Sequence, residues 1–452
     1  MHRHLTFILL AGLLLPQMIF AAEPIRVGTF DVDASPPVGS PLAYDPAKGV
    51  QTPLSCRGIV LAGAGKPIVL CAVDWIGISN GGQTVFRERL ARAAGTEPQR
   101  VAVHTLHQHD APRCDFAAEE LLSQHGLSGV GFDPAFARDV VDRASAAVKA
   151  ALADAKPVTH LGIGRGVVEK VASNRRILGP DGKVMHTRWT ATKDPKIRAF
   201  PVGTIDPQLK LIAFFNGDEP IAALTYYATH PQSYYRTGLA NPDFPGLARN
   251  ARQQETGVPH VHFNGAGGDI GAGKWNDGSP ENRQVLADRV AAGMKRAWES
   301  MEKSPLSADG VGWAVEPVVL PPSKQMDEAA LAKTVENEEA KADDRWYAAK
   351  HLVWLRRCQS GDPIDISCLA LNKARVLHMP GELLIGYQLA AQEHRPDLFV
   401  AMAAYGDYAP GYIAMEIAYG QGGYESSPRA SKVAPSVEGV LMGAVRKLLG
   451  SE

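Results

Sequence analysis

Three stretches of this chain place side chains that can hold a metal ion or move a proton at the ends of apolar runs. Residues 100–115 read RVAVHTLHQHDAPRCD, an alternating segment that carries His104, His107 and His109 into an Asp-Ala-Pro turn and Cys114. If the chain stays extended from Val101 to His109, alternation puts His107 and His109 on one face and His104 on the other. Two imidazoles so placed can share a cavity, one on a metal ion and the other on a substrate. Hydrogen-bonded core histidines give the same spacing, so the pair needs further ligands to mean a site. His230 is one candidate: it ends the run TYYATH, and Pro231 stops the β-ladder behind it. Glu382 is another, in the turn Pro380-Gly381-Glu382, although a glutamate at a helix start is commonly only a favourable dipole partner. Two or three nitrogen and oxygen ligands around an open position form the pattern of a catalytic zinc site, where the ion lowers the pKa of water toward ~7 and polarises a carbonyl.

The run GAGGDIGAGK, residues 265–274, has the glycine content of a phosphate loop without its spacing. Lys274 is followed by Trp275, and no helix with an acidic partner follows at the distance a dinucleotide site requires. The glycines instead let backbone approach a ligand or metal closely. Asp269, the only ionisable side chain at the centre of the run, is a candidate catalytic residue. Cys114, beside the histidines, is a candidate nucleophile, but a free structural thiol is the simpler reading. Cys358 with Cys368, and Cys56 with Cys71, are candidate disulfide pairs.

A net charge of −1 argues against a nucleic-acid partner, which would require a basic excess. Residues 1–22 have a mildly basic start, an apolar stretch and the small pair Ala21-Ala22, the layout of a cleaved secretory signal peptide. The mature chain is therefore expected to span residues 23–452, secreted or periplasmic, with no membrane span once the signal is removed.

The elements that must position these groups alternate in type. Residues 25–39 read as a strand followed by a Pro-Pro turn, 58–62 and 67–75 as strands, 84–94 as a helix and 100–105 as a strand, a βαβ-like unit with the histidines beyond its carboxyl end. Residues 134–155 read as a helix with Val140, Val141, Ala144, Ala147 and Val148 on one stripe. Residues 209–216 and 220–229 read as an antiparallel pair that delivers His230. Residues 243–253 read as a helix, 260–264 as a strand and 281–301 as a helix. Residues 325–355, charged and alanine-rich, read as an exposed helical excursion. Residues 364–378 read as one strand, 384–391 as a helix, 398–404 as a strand and 433–449 as a closing helix. No internal sequence repeat is visible. The expected fold class is α/β, a single large domain with a mixed β-sheet core flanked by helices.

The set HQHDAP, NRR, ATHPQS, GAGGDIGAG, PGELL and GYIAMEIAYGQGGYE resembles, in the same order, the neutral non-lysosomal ceramidases, zinc amidases of the N-acyl bond of ceramide. The resemblance runs from about Ile25 to the C-terminal helix and implies that family's catalytic fold without its immunoglobulin-like C-terminal domain. It implies a zinc ion (Zn2+) held by His107, His230, Glu382 and Tyr412. It also implies His109 on the scissile group, with Arg175 and Tyr424 in the active site. In two places the chain departs from the family pattern. Glycine stands at 271 where the family carries an essential serine, and the turn after the histidines reads HQHDAPRC instead of an HTHSGP type. With no apolar docking hairpin in evidence, the expected substrate is an N-acyl or O-acyl small molecule, a ceramide-like lipid or a more polar conjugate. The alternatives are a catalytically altered zinc-containing binding protein and a thiol hydrolase using Cys114.

Overall fold

The strand–helix–strand order expected around the first histidines is one of three copies of a single arrangement. In the computed structural model, which describes residues 24–450, the hairpin Ser55–Ala62/Ile68–Val73 leads through the helix Gly81–Ala94 to the strand Val101–Thr105, parallel to Ile68–Val73. The hairpin Gln208–Asn216/Glu219–Tyr227 leads through the helix Asp243–Thr256 to the parallel strand His260–Asn264. The hairpin Ile364–Leu371/Ala374–His378 leads through the helix Ile385–His394 to the parallel strand Phe399–Ala403. In each unit an earlier strand joins the hairpin's first strand antiparallel: Arg26–Asp33, His160–Val167 and Val311–Val318 respectively. A later helix then packs on that added strand: Pro134–Ala153, Pro280–Glu299 and Val437–Leu449. Short edge strands, Lys156–Pro157 and Glu302–Pro305, extend the first two sheets to five strands, and the third has four. The chain is thus a mixed α/β protein whose sheets are flanked by helices.

The near-continuous apolar character of the strands follows from cover on both faces. Their inner faces meet in one cluster that draws Ile59 and Leu70 from the first sheet, Leu224 and Val261 from the second, and Leu369, Val376 and Ala401 from the third. On the outer face of the first sheet, Val140, Val141, Ala144 and Val148 pack with Trp75 and Phe86, as the helical stripe requires. Helix and strand approach closely enough that a Cβ at Gly28 would lie 1.8 Å from the Ala151 carbonyl oxygen. The second unit repeats the device, with a Cβ at Gly164 falling 1.9 Å from the Ala297 carbonyl.

Several expectations are corrected. Residues 364–378 are a hairpin, not one strand, because Asn372 takes the left-handed conformation (φ 50°) that an asparagine tolerates in a turn. Residues 325–355 are two helices, Glu328–Glu336 and Ala342–Ser360, and the second is no solvated excursion. It buries Trp346 against Phe132 and Trp354 under the Lys432 carbonyl, so its charge run covers only the outer side. All five cysteines are buried free thiols; the Cys56 and Cys71 sulfurs face each other at 3.5 Å without a bond. The expected signal peptide, residues 1–22, lies outside the described residues. Among those described, no helix is long and apolar enough to cross a membrane.

Candidate active site

Each of the three units sends loops from its strand ends to one place. Extension in the first unit stops at Thr105, so His107 and His109 do not reach a common cavity by strand alternation. The turn is made by His107 itself, held at φ 60° while Leu106 N–H donates to the Val73 carbonyl (2.8 Å) and His107 N–H to the Trp75 carbonyl (2.9 Å). A left-handed histidine costs of order 1–3 kcal/mol, a strain that concentrates at functional sites. Tyr405, from the end of the third unit, has the same conformation (φ 60°), and its ring stacks on that of His107 at 4.7 Å. His230 is anchored by its N–H to the Ile270 carbonyl, and Glu382 by its N–H to the Gly411 carbonyl, both at 2.9 Å.

His107 Nδ1 lies 2.6 Å from the Ile76 carbonyl oxygen, to which it donates, so Nε2 is turned inward. There it lies 3.1 Å from Glu382 Oε2, which is also 3.7 Å from His230 Nδ1. His107 Nε2, His230 Nδ1 and Glu382 Oε2 are all buried without a hydrogen-bond partner. A ring nitrogen facing a carboxylate in a buried place needs positive charge between them or on the ring. His107, His109 and His230 also present ligand atoms within 4.8 Å of one another, close enough to hold a metal ion. The donor set therefore fits a metal. Burial works to raise the Glu382 carboxyl, yet His107 and the Tyr408 hydroxyl, which donates to Oε1, hold it below its usual value.

His109 has a defined role in this cluster. The Thr190 hydroxyl donates to Gln232 Oε1 (2.7 Å), which turns Gln232 Nε2 toward His109 Nδ1 at 3.0 Å. The Tyr44 hydroxyl meets the same nitrogen at 3.0 Å. With Nδ1 accepting, the ring proton sits on Nε2, 2.9 Å from His230 Nε2. Burial first, then His107 and Arg175, push His109 well below the usual histidine range, so it is a neutral N–H donor.

The remaining expected residues are placed as follows. Tyr412 stacks near His230 (6.5 Å between ring centres), and its hydroxyl accepts from Arg175 Nη1 at 3.3 Å. Arg175 and Arg176 both pair with the fully buried Glu425, each at 3.1 Å. Tyr424 is half-buried, 5.5 Å from the Tyr412 ring. Asp269 points elsewhere. Its Oδ2 accepts from Asn174 Nδ2 (2.9 Å) and its Oδ1 from Ile385 N–H (2.8 Å), so it ties the glycine loop to a helix start and is a positioning residue. Burial pushes it up to about 6. A Cβ at Gly271 would meet Thr190 Cγ2 at 3.1 Å and Arg175 Cγ at 3.4 Å, so the position borders the site without contributing a hydroxyl. Cys114 is buried, and burial and Asp115 push its thiol well up, which leaves no nucleophilic thiolate. His104 Nδ1 donates to the Ala404 carbonyl (2.7 Å), outside the cluster.

Sequence reasoning missed Tyr44, Thr190, Gln232, Tyr405 and Tyr408. Gln232 lies two residues past His230 and was visible in the motif; Tyr44 and Thr190 carry no local signal. Tyr44, Tyr408 and Tyr412, whose rings lie near those of His109, His107 and His230 respectively, line a cavity of about 860 Å³.

No family model matches the chain, and no curated protein matches it closely. Solved structures do, two of them as follows. One, described as a ceramidase complexed with C2, has a TM-score of 0.67 and 17% identity over 94% of this chain and 75% of its own. The other, neutral ceramidase from Pseudomonas aeruginosa, also has a TM-score of 0.67 and 17% identity, over 94% of this chain and 74% of its own. At that identity the likeness carries the fold, and the chain is therefore a protein of neutral-ceramidase-like fold with a buried histidine cluster able to bind a metal at its strand ends.

Proposed function

We propose that the chain is a zinc-dependent hydrolase of N-acyl amides, extending to related O-acyl esters, with the ion held by His107, His230, Glu382 and Tyr412. The observation that carries this is the convergence of three unpartnered buried atoms, His107 Nε2, His230 Nδ1 and Glu382 Oε2. Zinc in such a set supplies a Lewis acid for the carbonyl oxygen and lowers the pKa of water.

The protein's own groups do the rest. His109, fixed through Nδ1 by Gln232 and Tyr44 beside His230, is the donor to the oxygen on which charge develops; one such donor is typically worth about 10²–10³ in rate. Arg175, fixed by Glu425, orients the acyl compound, and Tyr424 flanks it from the cavity. With glycine at 271, and with the Thr190 hydroxyl committed to Gln232, neither of these two positions offers a hydroxyl as nucleophile. Water adds to the carbonyl carbon, the C–N bond breaks, and the water's protons end on the new carboxyl group and the leaving nitrogen. The N-terminal signal segment supports secretion or a periplasmic location.

Gly271 favours a second reading, a zinc-containing binding protein of the same fold that turns nothing over. Metal analysis of the purified protein, coupled to a panel of N-acyl and O-acyl substrates, separates the two. His107→Ala and His230→Ala are expected to lose both zinc and turnover, and His109→Ala to keep zinc while losing about 10²–10³ in kcat. Full turnover in zinc-free protein would sink the proposal; stoichiometric zinc with no turnover on any substrate would favour the binding protein.

A further inference from the structure

The cavity beside the histidines has a charge its surroundings do not balance. Five cationic side chains line it, Arg113, Arg236, Lys350, Arg429 and Lys432, against two carboxylates, Asp115 and Asp344. Asp115 is already engaged, accepting from Asn80 Nδ2 (2.7 Å) and the Ala118 N–H (3.2 Å). Asp344 is exposed in the first turn of its helix.

None of the five cations pairs with a carboxylate among the described residues. Arg113 donates to the Tyr347 hydroxyl (3.1 Å) and the Ala43 carbonyl. Lys432 is buried and donates to the carbonyls of Pro428 (2.6 Å) and Arg429 (2.9 Å). Arg236 lies over the Tyr44 ring at 4.9 Å. Lys350 stands 4.6 Å over the ring of Tyr408, the residue whose hydroxyl holds Glu382. A cationic group therefore sits one aromatic ring away from the metal-binding cluster.

Cations are seldom withdrawn from water without a counter-charge, because desolvation must be offset. A cleft lined by one sign of charge focuses its field on ligands of the opposite sign. Burial and then Arg113 lower Lys350 to about 8 although Asp115 and Glu382 pull it the other way, and burial lowers Lys432 to about 8. Arg236 and Arg429 are exposed to water, but an uncharged lipid amide would leave the sheltered cations Arg113, Lys350 and Lys432 with more charge than Asp115 balances.

We propose that the cavity binds an acyl compound carrying an anionic group, a carboxylate or phosphonate-type anion placed against Lys350 and Arg113 while the acyl bond faces His109. This rests on the hydrolase reading only for the acyl character of the ligand.

The test uses the full, zinc-loaded protein and matched ligands that differ in charge alone. One set is N-hexanoylglycine, N-hexanoylaminomethylphosphonate and the neutral N-hexanoylglycinamide; the other, with the charge on the acyl side, is N-hexylsuccinamate and N-hexylsuccinamide. Calorimetric binding and product release are both measured. In at least one set an anionic member is expected to bind about tenfold tighter or more, the range of a charge-assisted contact. That preference should weaken as salt is raised. Lys350→Met should reduce the ratio of anionic to neutral affinity, and Lys350→Arg should retain it. The carboxylate and phosphonate arms show which anion the site prefers. Equal or tighter binding of the neutral member in both sets, or no binding of any ligand, overturns the proposal. Preferential binding without cleavage sinks the hydrolase reading and leaves the anion site standing; cleavage of all members without preference does the reverse.

Discussion

The tautomer of His109 depends on two side chains whose importance appears only in the folded chain. Gln232 is oriented by Thr190 and presents an N–H to His109 Nδ1, which leaves the proton on Nε2. Gln232→Leu is expected to retain zinc and fold while lowering kcat about tenfold or more, because the ring loses the partner that selects its tautomer. Unchanged turnover with intact zinc would show that Tyr44 suffices alone. Gly271→Ser is a second test at this scale. The added Cβ meets Thr190 Cγ2 at 3.1 Å, tight enough to cost about 1–3 kcal/mol as an overpacked contact. The double variant Gly271→Ser/Thr190→Ser removes that methyl and keeps the hydroxyl for Gln232, so it should melt higher than the single variant. If it does not, another neighbour limits the space. His107, His109, His230 and Glu382 were legible because each follows an apolar run. Tyr44, Thr190 and Tyr408 were not, since a tyrosine or threonine in a loop acquires meaning only from what it meets across the fold.

The units themselves explain why these loops meet. A hairpin followed by a helix and a parallel strand presents two strand ends on one side, and three such units surround one apolar cluster. The strand–helix–strand order was readable in the first unit from the change of hydrophobic period. The threefold recurrence was not, because the units share patterning and topology without sharing residues. Close helix–sheet contact is part of the design, and Gly28 tests it. A methyl there would lie 1.8 Å from the Ala151 carbonyl, so Gly28→Ala must displace the helix Pro134–Ala153 from its strand. At least about 1–3 kcal/mol of destabilisation is expected from overpacking, read as a lowered denaturant midpoint. A midpoint equal to the parent's would mean that the helix moves freely. The charged run at residues 325–355 was misread at this scale: tryptophans at 346 and 354 hold it down, and charge content alone hid them.

Across the whole molecule, the first unit is fastened to the second by a buried ion pair. Arg249, on the helix Asp243–Thr256, donates through Nη1 to Asp74 Oδ1 (2.7 Å) and through Nη2 to Oδ2 (2.9 Å), and both side chains are inaccessible to solvent. Ser55 adds its N–H and hydroxyl to Oδ2, each at 2.9 Å. Burial alone would raise the Asp74 carboxyl, but Arg249 outweighs it and holds the pKa below the usual 3.8. Its contribution to stability is therefore present above the unfolded value and is lost as pH falls through the lower folded one. Asp74→Asn should destabilise by about 3–5 kcal/mol at neutral pH, since it strands a buried guanidinium. It should also flatten the fall in stability below about pH 4, the unfolded aspartate value. Urea unfolding across pH 2–7 (roughly the range over which carboxylates titrate) checks both, and an unchanged acid limb would show that other carboxylates control it.

The order of polar and apolar residues was enough to place most strands and helices, and to mark the imidazoles and the carboxylate at strand ends as metal candidates. These are local properties: a period of two or of 3.6, a proline after a strand, a ligand where the ladder stops. Only tertiary structure decided how His107 and His109 both come to face the cluster although the strand stops before them. The deciding event was a left-handed turn at His107, fixed by hydrogen bonds to the Val73 and Trp75 carbonyls and by the Tyr405 ring from the far end of the chain. It also decided that Asp269 serves the scaffold and that cations from five separate positions share one cavity. Such outcomes depend on long-range packing and on competition for buried hydrogen-bond partners, and neither is written in the spacing of residues along the chain.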